Sequence, residues 1–317
     1  MGCDLYLRSY VNGGCARYDL FCRGDEQFGS DRKGVLIEGN VEKLYIPSKD
    51  YNNFFKYQEK NLPNILANNN LSSREKSHAV YHVAKSLTKE ILHDICTEGV
   101  DLDRAKNWVK YTISFVLNDE DTFSGLLSMT SHDYYTYTHS LNLFVFGLLF
   151  GKHLGLGTDN LNTFGTGLLL HDVGKIKVPL EILNKPGKLT KDEYGIIKRH
   201  PISGYKLLKD KENIDGKSLK VVMQHHENYD GTGYPHGIGG NEIDLYGRLS
   251  RIIDVYDAIT TKRCYAGAMN PLTALKEMGE SMGNCFDMEL FKEFVCFLLP
   301  KGSQFIKGDD GIVCLKT

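Results

Sequence analysis

The sequence lacks any apolar run long enough to span a lipid bilayer, which takes about 20 residues. Its longest apolar stretches, such as Leu141–Phe150, are shorter than that. The first residues do not form a basic segment followed by an apolar one, so we expect no secretory signal. Met1-Gly2 is not followed by the Ser or Thr at position 6 that N-myristoylation requires, because Tyr6 stands there. These absences predict a cytoplasmic protein without a membrane span.

An excess of charge of either sign is also missing. Lys and Arg together number 38 and Asp and Glu 40, which gives a formal net charge of −2. A general nucleic-acid-binding protein carries a basic excess or a basic stripe, so we expect no long nucleic acid as a partner. Hydrophobic residues make up 41% of the 317 residues and charged residues 25%, so the chain can bury a full core. This composition excludes wholesale disorder.

The eight cysteines include no CxxC pair. Their scattered spacing over a long chain is not that of a disulfide scaffold. We interpret them as reduced thiols that pack as small hydrophobic side chains. A metal site in this chain therefore has to use histidine and carboxylate ligands.

The chain changes character near residue 70, and we assign residues 1–70 to a small β-rich N-terminal domain with its linker. Short β-forming stretches alternate there with glycine-containing turns. A short helix over Tyr51–Lys60 and a linker over Asn61–Ser73 follow them. The segment has no cluster of acid–base residues, so we expect regulatory docking rather than a second enzyme. The predicted strands are Asp4–Val11, Ala16–Arg23, Val35–Glu38 and Lys43–Ile46.

Helical periodicity dominates residues 71–317, for which we predict an all-helical bundle. The fold class is therefore mainly α. Leading helices over 73–118, the first of which begins at Ser73, precede a core over about 125–300. A closing β-hairpin is predicted over Phe305–Leu315. The other predicted helices are Leu102–Leu117, Tyr134–Leu154, Asp159–Leu170, Lys191–His200, Ile202–Lys211, Leu219–His226, Glu242–Arg263, Pro271–Met282 and Asp287–Leu298.

Three of the eleven histidines are followed directly by Asp, and their contexts differ. His93-Asp94 ends a polar-faced helix, and His132-Asp133 lies at a polar helix start, so exposure or capping accounts for both pairs. His171-Asp172 instead ends an apolar run, and Lys175 follows shortly after it. Buried ionisable groups are costly unless they are paired, and a metal ion would satisfy this pair.

Further residues with ligand chemistry lie at helix ends or on core faces. His139 shares a helix face with Leu143 and Phe146, although a buried core histidine is the alternative for this residue taken alone. Neighbouring residues on a helix diverge by about 100°, so each adjacent pair can reach two ions that lie side by side. Imidazole and carboxylate ligands suit Fe, Mn or Zn, and paired metals suit in-line attack on a phosphodiester. The remaining candidates are His200, His225, His226, Asp254 and Asp257.

The series of histidines and aspartates resembles the HD phosphohydrolase superfamily, and HHENYDGTGYP, from His225 to Pro235, resembles the signature of its HD-GYP branch. By itself this glycine-rich segment would predict only a long turn. The segments LLLHDVGKIKVP, ILNKPGKLT, RHPISGY and DVYDAITTKR also follow the family's order and spacing. The resemblance covers about residues 125–300 and not the first 70. It implies a metal-dependent phosphodiesterase that hydrolyses cyclic di-GMP to linear pGpG, or on to GMP, and so lowers this messenger in bacterial signalling.

The resemblance also implies the roles of individual residues. Asp172 would bridge two ions, and Lys175 would act in catalysis near the scissile phosphate. The implied substrate contacts are Gly233, Tyr234, Pro235 and Arg263, of which Arg263 would contact a phosphate or a guanine. The implied metal ligands are His139, His171, Asp172, His200, His225, His226 and Asp254.

Departures from the family pattern lead to further expectations. Some members carry a Glu one turn before the first His, which supplies a third metal ion, but this chain has Tyr135 there. We therefore expect two divalent metal ions per chain, with Fe as the first choice and Mn as the alternative, because both accept this ligand set. Asn228 and Ala266 replace basic residues of the family, so we expect weaker phosphate contacts. Of the two aspartates one turn apart, we assign ligation to Asp254 and expect Asp257 to accept a hydrogen bond from a ligating imidazole or to cap a neighbouring group.

Two alternative functions stay open at this point. One is an HD phosphohydrolase that acts on another nucleotide, such as a mixed cyclic dinucleotide. The other is a signalling module that binds cyclic di-GMP, or a partner protein, without turnover, although the complete ligand set argues against it. The N-terminal domain is the expected contact for a homodimer or a signalling-protein partner.

Overall fold

The computed structural model describes residues 2–11, 15–94, 102–118, 136–212, 214–261, 268–299, 304–307 and 313–316. Contacts between Cα atoms divide the chain into two units, Met1–Leu87 and Thr88–Thr317. The division falls inside a long helix, whereas the composition changes earlier, near residue 70. Within the described part of the chain, no helix is both long enough and apolar enough to cross a membrane.

The first unit begins with an antiparallel β-hairpin. β1 (Leu5–Val11) pairs with β2 (Cys15–Cys22) along the whole length of β1. The end of the hairpin away from its turn is buried, and Cys3, Leu5 and Cys22 form a small core there. The two buried cysteines are free thiols, as the composition predicts.

Two of the four predicted strands are wrong. Val35–Glu38 lies in α1 (Ser30–Glu38), and from Lys43–Ile46 only Tyr45 contributes, through an isolated bridge to Tyr6. A run of four mostly apolar residues does not distinguish a strand from a helical turn. The small sheet of this unit is therefore confined, among the described residues, to the hairpin and its one bridge.

Two longer helices follow, α2 (Tyr51–Ala67) and α3 (Ser73–Asp94). α2 continues through most of the predicted linker, because Pro63 is accommodated inside the helix. α3 is capped one residue before its first turn by Ser72, whose main-chain N donates to Glu75 Oε2 at 2.8 Å, while Glu75 N donates to Ser72 Oγ at 3.3 Å. The helix thus begins at Ser73, as predicted, behind a reciprocal capping box.

The second unit is a helical bundle, as the periodicity predicts. The helix ends differ from the predicted ones by a few residues, and one short helix was not predicted. A closing hairpin pairs β3 (Gln304–Lys307) with β4 (Val313–Lys316), which confirms the predicted one. The described helices are α4 (Leu102–Asn118), α5 (Thr136–His153), α6 (Thr158–Leu170), α7 (Leu180–Leu183), α8 (Lys191–Ile197), α9 (His200–Leu208), α10 (Gly216–Gln224), α11 (Leu245–Thr260), α12 (Pro271–Ser281) and α13 (Met288–Leu298).

Glycines on α5 and α6 let the central helices of the bundle approach closely. A Cβ atom on Gly147 would lie 2.0 Å from Leu168 Cδ1, and one on Gly167 would lie 2.7 Å from Val221 Cβ. α6 is therefore packed tightly against both α5 and α10. Since its last residue is directly followed by His171, this packing brings that histidine into the centre of the bundle.

Candidate metal centre

Seven side chains with metal-ligand chemistry meet inside the second unit, and they come from five separate segments. One lies on α5, two follow α6, one starts α9, two follow α10 and one lies on α11. Their donor atoms form two groups, and within each group they lie within 4.8 Å of one another. The first group is Asp172, His200, His225 and His226, and the second is His139, His171 and Asp254.

Gly174 explains how two of these segments come together. It lies in the 3₁₀ turn that follows Asp172, and a Cβ atom there would lie 1.9 Å from the carbonyl oxygen of His200. Only a residue without a side chain allows this main-chain contact. The glycine of HDVGK therefore sets the separation between Asp172 and the start of α9.

Hydrogen bonds fix the tautomer of four of the histidines. A carbonyl or carboxylate oxygen accepts from Nδ1 in each case, so Nδ1 carries the proton and Nε2 presents a lone pair in the neutral ring. His139 Nδ1 donates to Asp257 Oδ2 at 2.7 Å. The other three donate to the main chain of the preceding turn: His171 to Leu168 (2.7 Å), His200 to Ile197 (2.8 Å) and His225 to Val222 (3.0 Å).

The unprotonated nitrogens face one another in pairs. His139 Nε2 lies 3.3 Å from His171 Nε2, and His200 Nε2 lies 3.1 Å from His225 Nε2. In the neutral rings, two lone pairs at these distances repel each other. A cation coordinated by both nitrogens removes the repulsion. The donor set therefore fits divalent metal ions.

Asp172 belongs to the first group and also approaches the second, because its two oxygens face different histidines. Oδ1 lies 3.2 Å from His200 Nε2, and Oδ2 lies 3.4 Å from His171 Nε2. Oδ1 is buried and accepts no hydrogen bond from the described residues, which is a costly state for a carboxylate oxygen. Because each oxygen faces one group of donors, the carboxylate is oriented to serve both.

Among the described residues, Lys175 is the one lysine or arginine that pairs with Asp172. Its Nζ lies 2.5 Å from Asp172 Oδ2, and its side chain is 16% exposed. Burial by itself raises the pKa of Asp172, but the neighbouring His171 and Lys175 outweigh burial and hold that pKa well below 3.8. Asp172 is therefore ionised at neutral pH, which is the form in which a carboxylate binds a metal ion.

Burial also keeps two of the histidines neutral. Burial is the main cause that lowers the pKa of His225 and of His226 well below 6.5, and neighbouring histidines add to it. A neutral imidazole is the form that binds a metal ion. These two residues therefore stay competent as ligands at neutral and mildly acidic pH.

The two aspartates of α11 have different environments. Asp254 Oδ1 lies 3.1 Å from His139 Nε2 and its Oδ2 lies 3.5 Å from His226 Nδ1, so its carboxylate faces ring nitrogens of both donor groups. Asp257 accepts from His139 Nδ1 and, through Oδ1, from Asn142 Nδ2 at 2.8 Å and from Thr261 Oγ1 at 3.1 Å. Asp257 is therefore the acceptor in all three of these contacts. This arrangement supports the assignment of Asp254 as a ligand and of Asp257 as the residue that orients His139.

The loop that contains Gly233, Tyr234 and Pro235, which we call the GYP loop, packs directly against the donor groups. The ring of Tyr234 stacks on that of His226, with the ring centroids 4.6 Å apart. Burial raises the pKa of Tyr234, so its hydroxyl stays protonated. Gly233 has to be glycine, since a Cβ atom there would lie 2.2 Å from Asn228 N. Gly233 and Tyr234 therefore lie beside His226, and Pro235 follows them directly in the chain.

Three positions singled out in the sequence, Tyr135, Arg263 and Ala266, lie outside the described residues. Sequence reasoning also missed the buried residue Glu227, whose carboxylate accepts from His236 N at 2.7 Å and from Gly237 N at 3.1 Å. The sequence does contain an indication of Glu227, because an acidic residue directly follows the His225-His226 pair.

Comparisons with known proteins agree with this geometry. The sequence model of the family described as HD domain matches residues 125–290. A protein of Pseudomonas aeruginosa named cyclic di-GMP phosphodiesterase PA4108 is 37% identical over 62% of this chain and 48% of its own length. A protein of Vibrio cholerae named 3′3′-cGAMP-specific phosphodiesterase 1 is 38% identical over 43% of this chain and 31% of its own length. The chain thus spans about half, or less, of the length of these curated relatives.

The fold also has a solved counterpart. The structure of Bd1817, described as an HDG"Y"P protein from Bdellovibrio bacteriovorus, superposes with a TM-score of 0.66 and covers 94% of both chains. The two sequences are 18% identical, so this likeness concerns the fold alone.

Proposed function

The chain belongs to the HD domain family, in its HD-GYP branch, and from this premise we propose that it is a metal-dependent phosphodiesterase that hydrolyses cyclic di-GMP. The observation that carries the proposal is the two pairs of opposed imidazole nitrogens, 3.1 and 3.3 Å apart, on either side of the buried Asp172. A binuclear centre is the usual device for in-line hydrolysis of a phosphodiester. The family likeness then suggests which phosphodiester is cut.

We assign one metal position to each group of donors. The first ion would be held by Asp172, His200, His225 and His226, and the second by His139, His171 and Asp254. Asp172 would serve both ions, because Oδ1 faces the first group and Oδ2 faces His171. We propose iron in both positions, with manganese as the alternative for the same ligands.

The ions, when bound, lower the pKa of a coordinated water and neutralise charge on the phosphate. The residues of the chain then have separate tasks. Asp257 holds the ring of His139 through Nδ1 and so keeps Nε2 aimed into the centre. Tyr234 covers His226 and excludes solvent from that side. Lys175 Nζ would leave Asp172 for the phosphate and donate a proton to the departing 3′ oxygen, so that water and cyclic di-GMP give linear pGpG.

Turnover and metal content test this proposal together. Protein purified anaerobically with iron, and in parallel with manganese, is analysed by mass spectrometry for metal and by chromatography for pGpG and GMP. We expect two ions per chain, because Tyr135 replaces the carboxylate that would supply a third site. Metal-loaded protein that binds cyclic di-GMP but releases no product would instead support a binding module. Three fully occupied ions would contradict the stoichiometry.

A mixed cyclic dinucleotide is the second candidate substrate. It is favoured by the 38% identity to the Vibrio cholerae relative whose name specifies 3′3′-cGAMP. The same assay with cyclic di-GMP and 3′3′-cGAMP at equal concentrations decides between them through the ratio of kcat/KM. We expect this ratio to favour cyclic di-GMP, and a ratio in favour of 3′3′-cGAMP would replace the first substrate with the second.

The regulatory role of residues 1–70 stays a prediction, as does a homodimer or a signalling partner bound through them. Light scattering of the full chain, at several concentrations and after size exclusion, measures the oligomeric state directly. A dimer that persists at low concentration is the expected result for self-association.

A further inference from the structure

Arg251 is a cation at the edge of the metal centre that the proposed mechanism does not use. It lies on α11, one turn before Asp254, and its side chain is 16% exposed. Its Nε donates to Asn228 Oδ1 at 2.9 Å. Its Nη1 lies 4.0 Å from Asp254 Oδ2, which is beyond hydrogen-bond distance. Within the part of the chain that the structure describes, neither Nη atom has a hydrogen-bond acceptor.

The orientation of this guanidinium is fixed by the loop that carries Tyr234. Asn228 Nδ2 donates to Thr232 Oγ1 at 2.9 Å, and Thr232 Oγ1 in turn donates to Asp230 Oδ1 at 2.6 Å. The amide of Asn228 therefore turns its oxygen toward Arg251. One edge of the guanidinium is held by this contact, and the Nη edge is left for another acceptor.

The Asp254 carboxylate does not fill that role. It already lies 3.1 Å from His139 Nε2 and 3.5 Å from His226 Nδ1 as part of a donor group. A planar guanidinium with two free Nη groups matches the oxygens of a phosphate better than those of any neutral ligand. The unused edge of Arg251 therefore indicates an anion that arrives with the substrate.

The centre has a second cation, and the two lie beside different carboxylates. Lys175 lies against Asp172, whereas Arg251 lies near Asp254. A cyclic dinucleotide carries two phosphates, of which one is cut at the metal centre beside Lys175. We propose that Arg251, positioned by Asn228, binds the phosphate of the cyclic dinucleotide that is not cut. This inference rests on the proposed function. Asn228 stands where the family has a basic residue, and in this chain Arg251, which Asn228 holds in place, would supply the positive charge instead.

The test compares a substrate with two phosphates and a substrate with one. Arg251→Gln and wild type are assayed with cyclic di-GMP and with bis(4-nitrophenyl) phosphate, which has no second phosphate. We expect Arg251→Gln to raise KM for cyclic di-GMP about tenfold or more, with kcat changed less than about threefold. The ratio of kcat/KM for cyclic di-GMP to kcat/KM for the small diester falls by a similar factor. Asn228→Ala, which frees the guanidinium, gives a smaller change in the same direction, and Arg251→Lys lies between wild type and Arg251→Gln.

Arg248→Gln is the matched control. Arg248 lies one turn earlier on α11, is 19% exposed and pairs with Asp287 at 2.7 Å, away from the ligand groups. It removes the same charge from the same helix, and we expect the substrate ratio to stay that of wild type. Thermal unfolding and metal analysis of every variant show whether fold and metal are retained. If Arg251→Gln fails to fold, Arg251→Lys and Asn228→Ala provide the comparison.

Equilibrium binding separates this inference from the proposed function. Calorimetric titration with cyclic di-GMP is carried out in the Lys175→Ala background, with and without Arg251→Gln. We expect Kd to rise about tenfold with the second change. Equal losses on both diesters, or an unchanged KM and Kd, would overturn the role of Arg251. Binding that depends on Arg251, together with no pGpG from metal-loaded wild type, would overturn the enzymatic proposal alone. A metal-loaded wild type that neither binds nor hydrolyses cyclic di-GMP would overturn both.

Discussion

At the scale of single residues, Lys175 is the sharpest test of the chemistry. Lys175→Ala removes the ammonium that lies 2.5 Å from Asp172 and leaves every proposed ligand in place. An ammonium beside two cations is electrostatically unfavourable until an anionic phosphate arrives, so its role is in the reaction rather than in metal binding. We expect metal content and unfolding temperature close to wild type, and kcat lower by about 10²-fold or more.

Lys177→Ala is the control for this change, because Lys177 lies in the same 3₁₀ turn and is exposed. We expect it to retain wild-type kcat. Near-normal turnover in a Lys175→Ala protein that keeps both ions would remove Lys175 from the mechanism.

The two aspartates of α11 give a second prediction at this scale. Asp254→Ala should abolish one metal position, since its carboxylate faces His139 and His226. Asp257→Ala should keep both ions but lower activity, because His139 loses the acceptor that fixes its tautomer. Metal analysis of the two purified variants distinguishes them. Full metal occupancy in Asp254→Ala, with loss in Asp257→Ala, would reverse the assignment.

At the scale of elements, close main-chain contacts decide whether the ligands meet. Gly174→Ala would place a Cβ atom 1.9 Å from the carbonyl oxygen of His200, and a main-chain atom cannot rotate away as a side chain does. Overpacking typically costs about 1–3 kcal/mol, and we expect the upper part of that range together with weakened metal binding. Urea unfolding and metal titration measure the two effects.

Gly195→Ala is the matched change without a clash. Gly195 lies inside α8, and nothing lies within 4 Å of a Cβ atom built there. Alanine in a helix interior is favoured over glycine by about 0.5–1 kcal/mol, so this variant should be as stable as wild type or more so. If both variants unfold at the same urea concentration as wild type, the contact at Gly174 does not set the position of His200.

The same scale shows what was predictable from the sequence. The proposed ligand set was predictable as a whole only from the family resemblance. His171-Asp172 and His225-His226 were also predictable because such pairs at the ends of apolar helices are costly to bury unless a cation satisfies them. The contact between Arg251 and Asn228 was not, because it joins two segments whose approach depends on the path of the GYP loop. The strand predicted over Val35–Glu38 failed for a local reason, since four residues are too few to reveal a period.

At the scale of the whole molecule, the buried histidines make the stability of the metal-free protein depend on pH. Burial, as the main cause, lowers the pKa of His225 and His226 well below 6.5 in the folded state. In the unfolded chain both take up protons near pH 6.5. The unfolded state therefore binds more protons below that pH, and the free energy of unfolding falls as the pH falls. The pKa values of Asp172 and Asp254 are lowered well below 3.8 in the folded state. Both residues therefore stay ionised, folded or unfolded, between pH 7.5 and 5.5, and they do not contribute to the pH dependence of stability in that range.

We therefore expect protein stripped of metal with EDTA to lose stability from pH 7.5 to pH 5.5, by up to about 1.4 kcal/mol per histidine for each pH unit below 6.5. Urea unfolding at pH 7.5, 6.5 and 5.5 measures the loss. In the double variant His225→Asn, His226→Asn the pH dependence should be flatter, because two of the groups that charge on unfolding are gone. In wild type, added metal should make the pH dependence of the free energy of unfolding steeper, since a bound ion stabilises only the folded state and protons compete for its ligands. An equal slope in wild type and double variant would mean that other groups, and not this pair, set the response of the fold to acid.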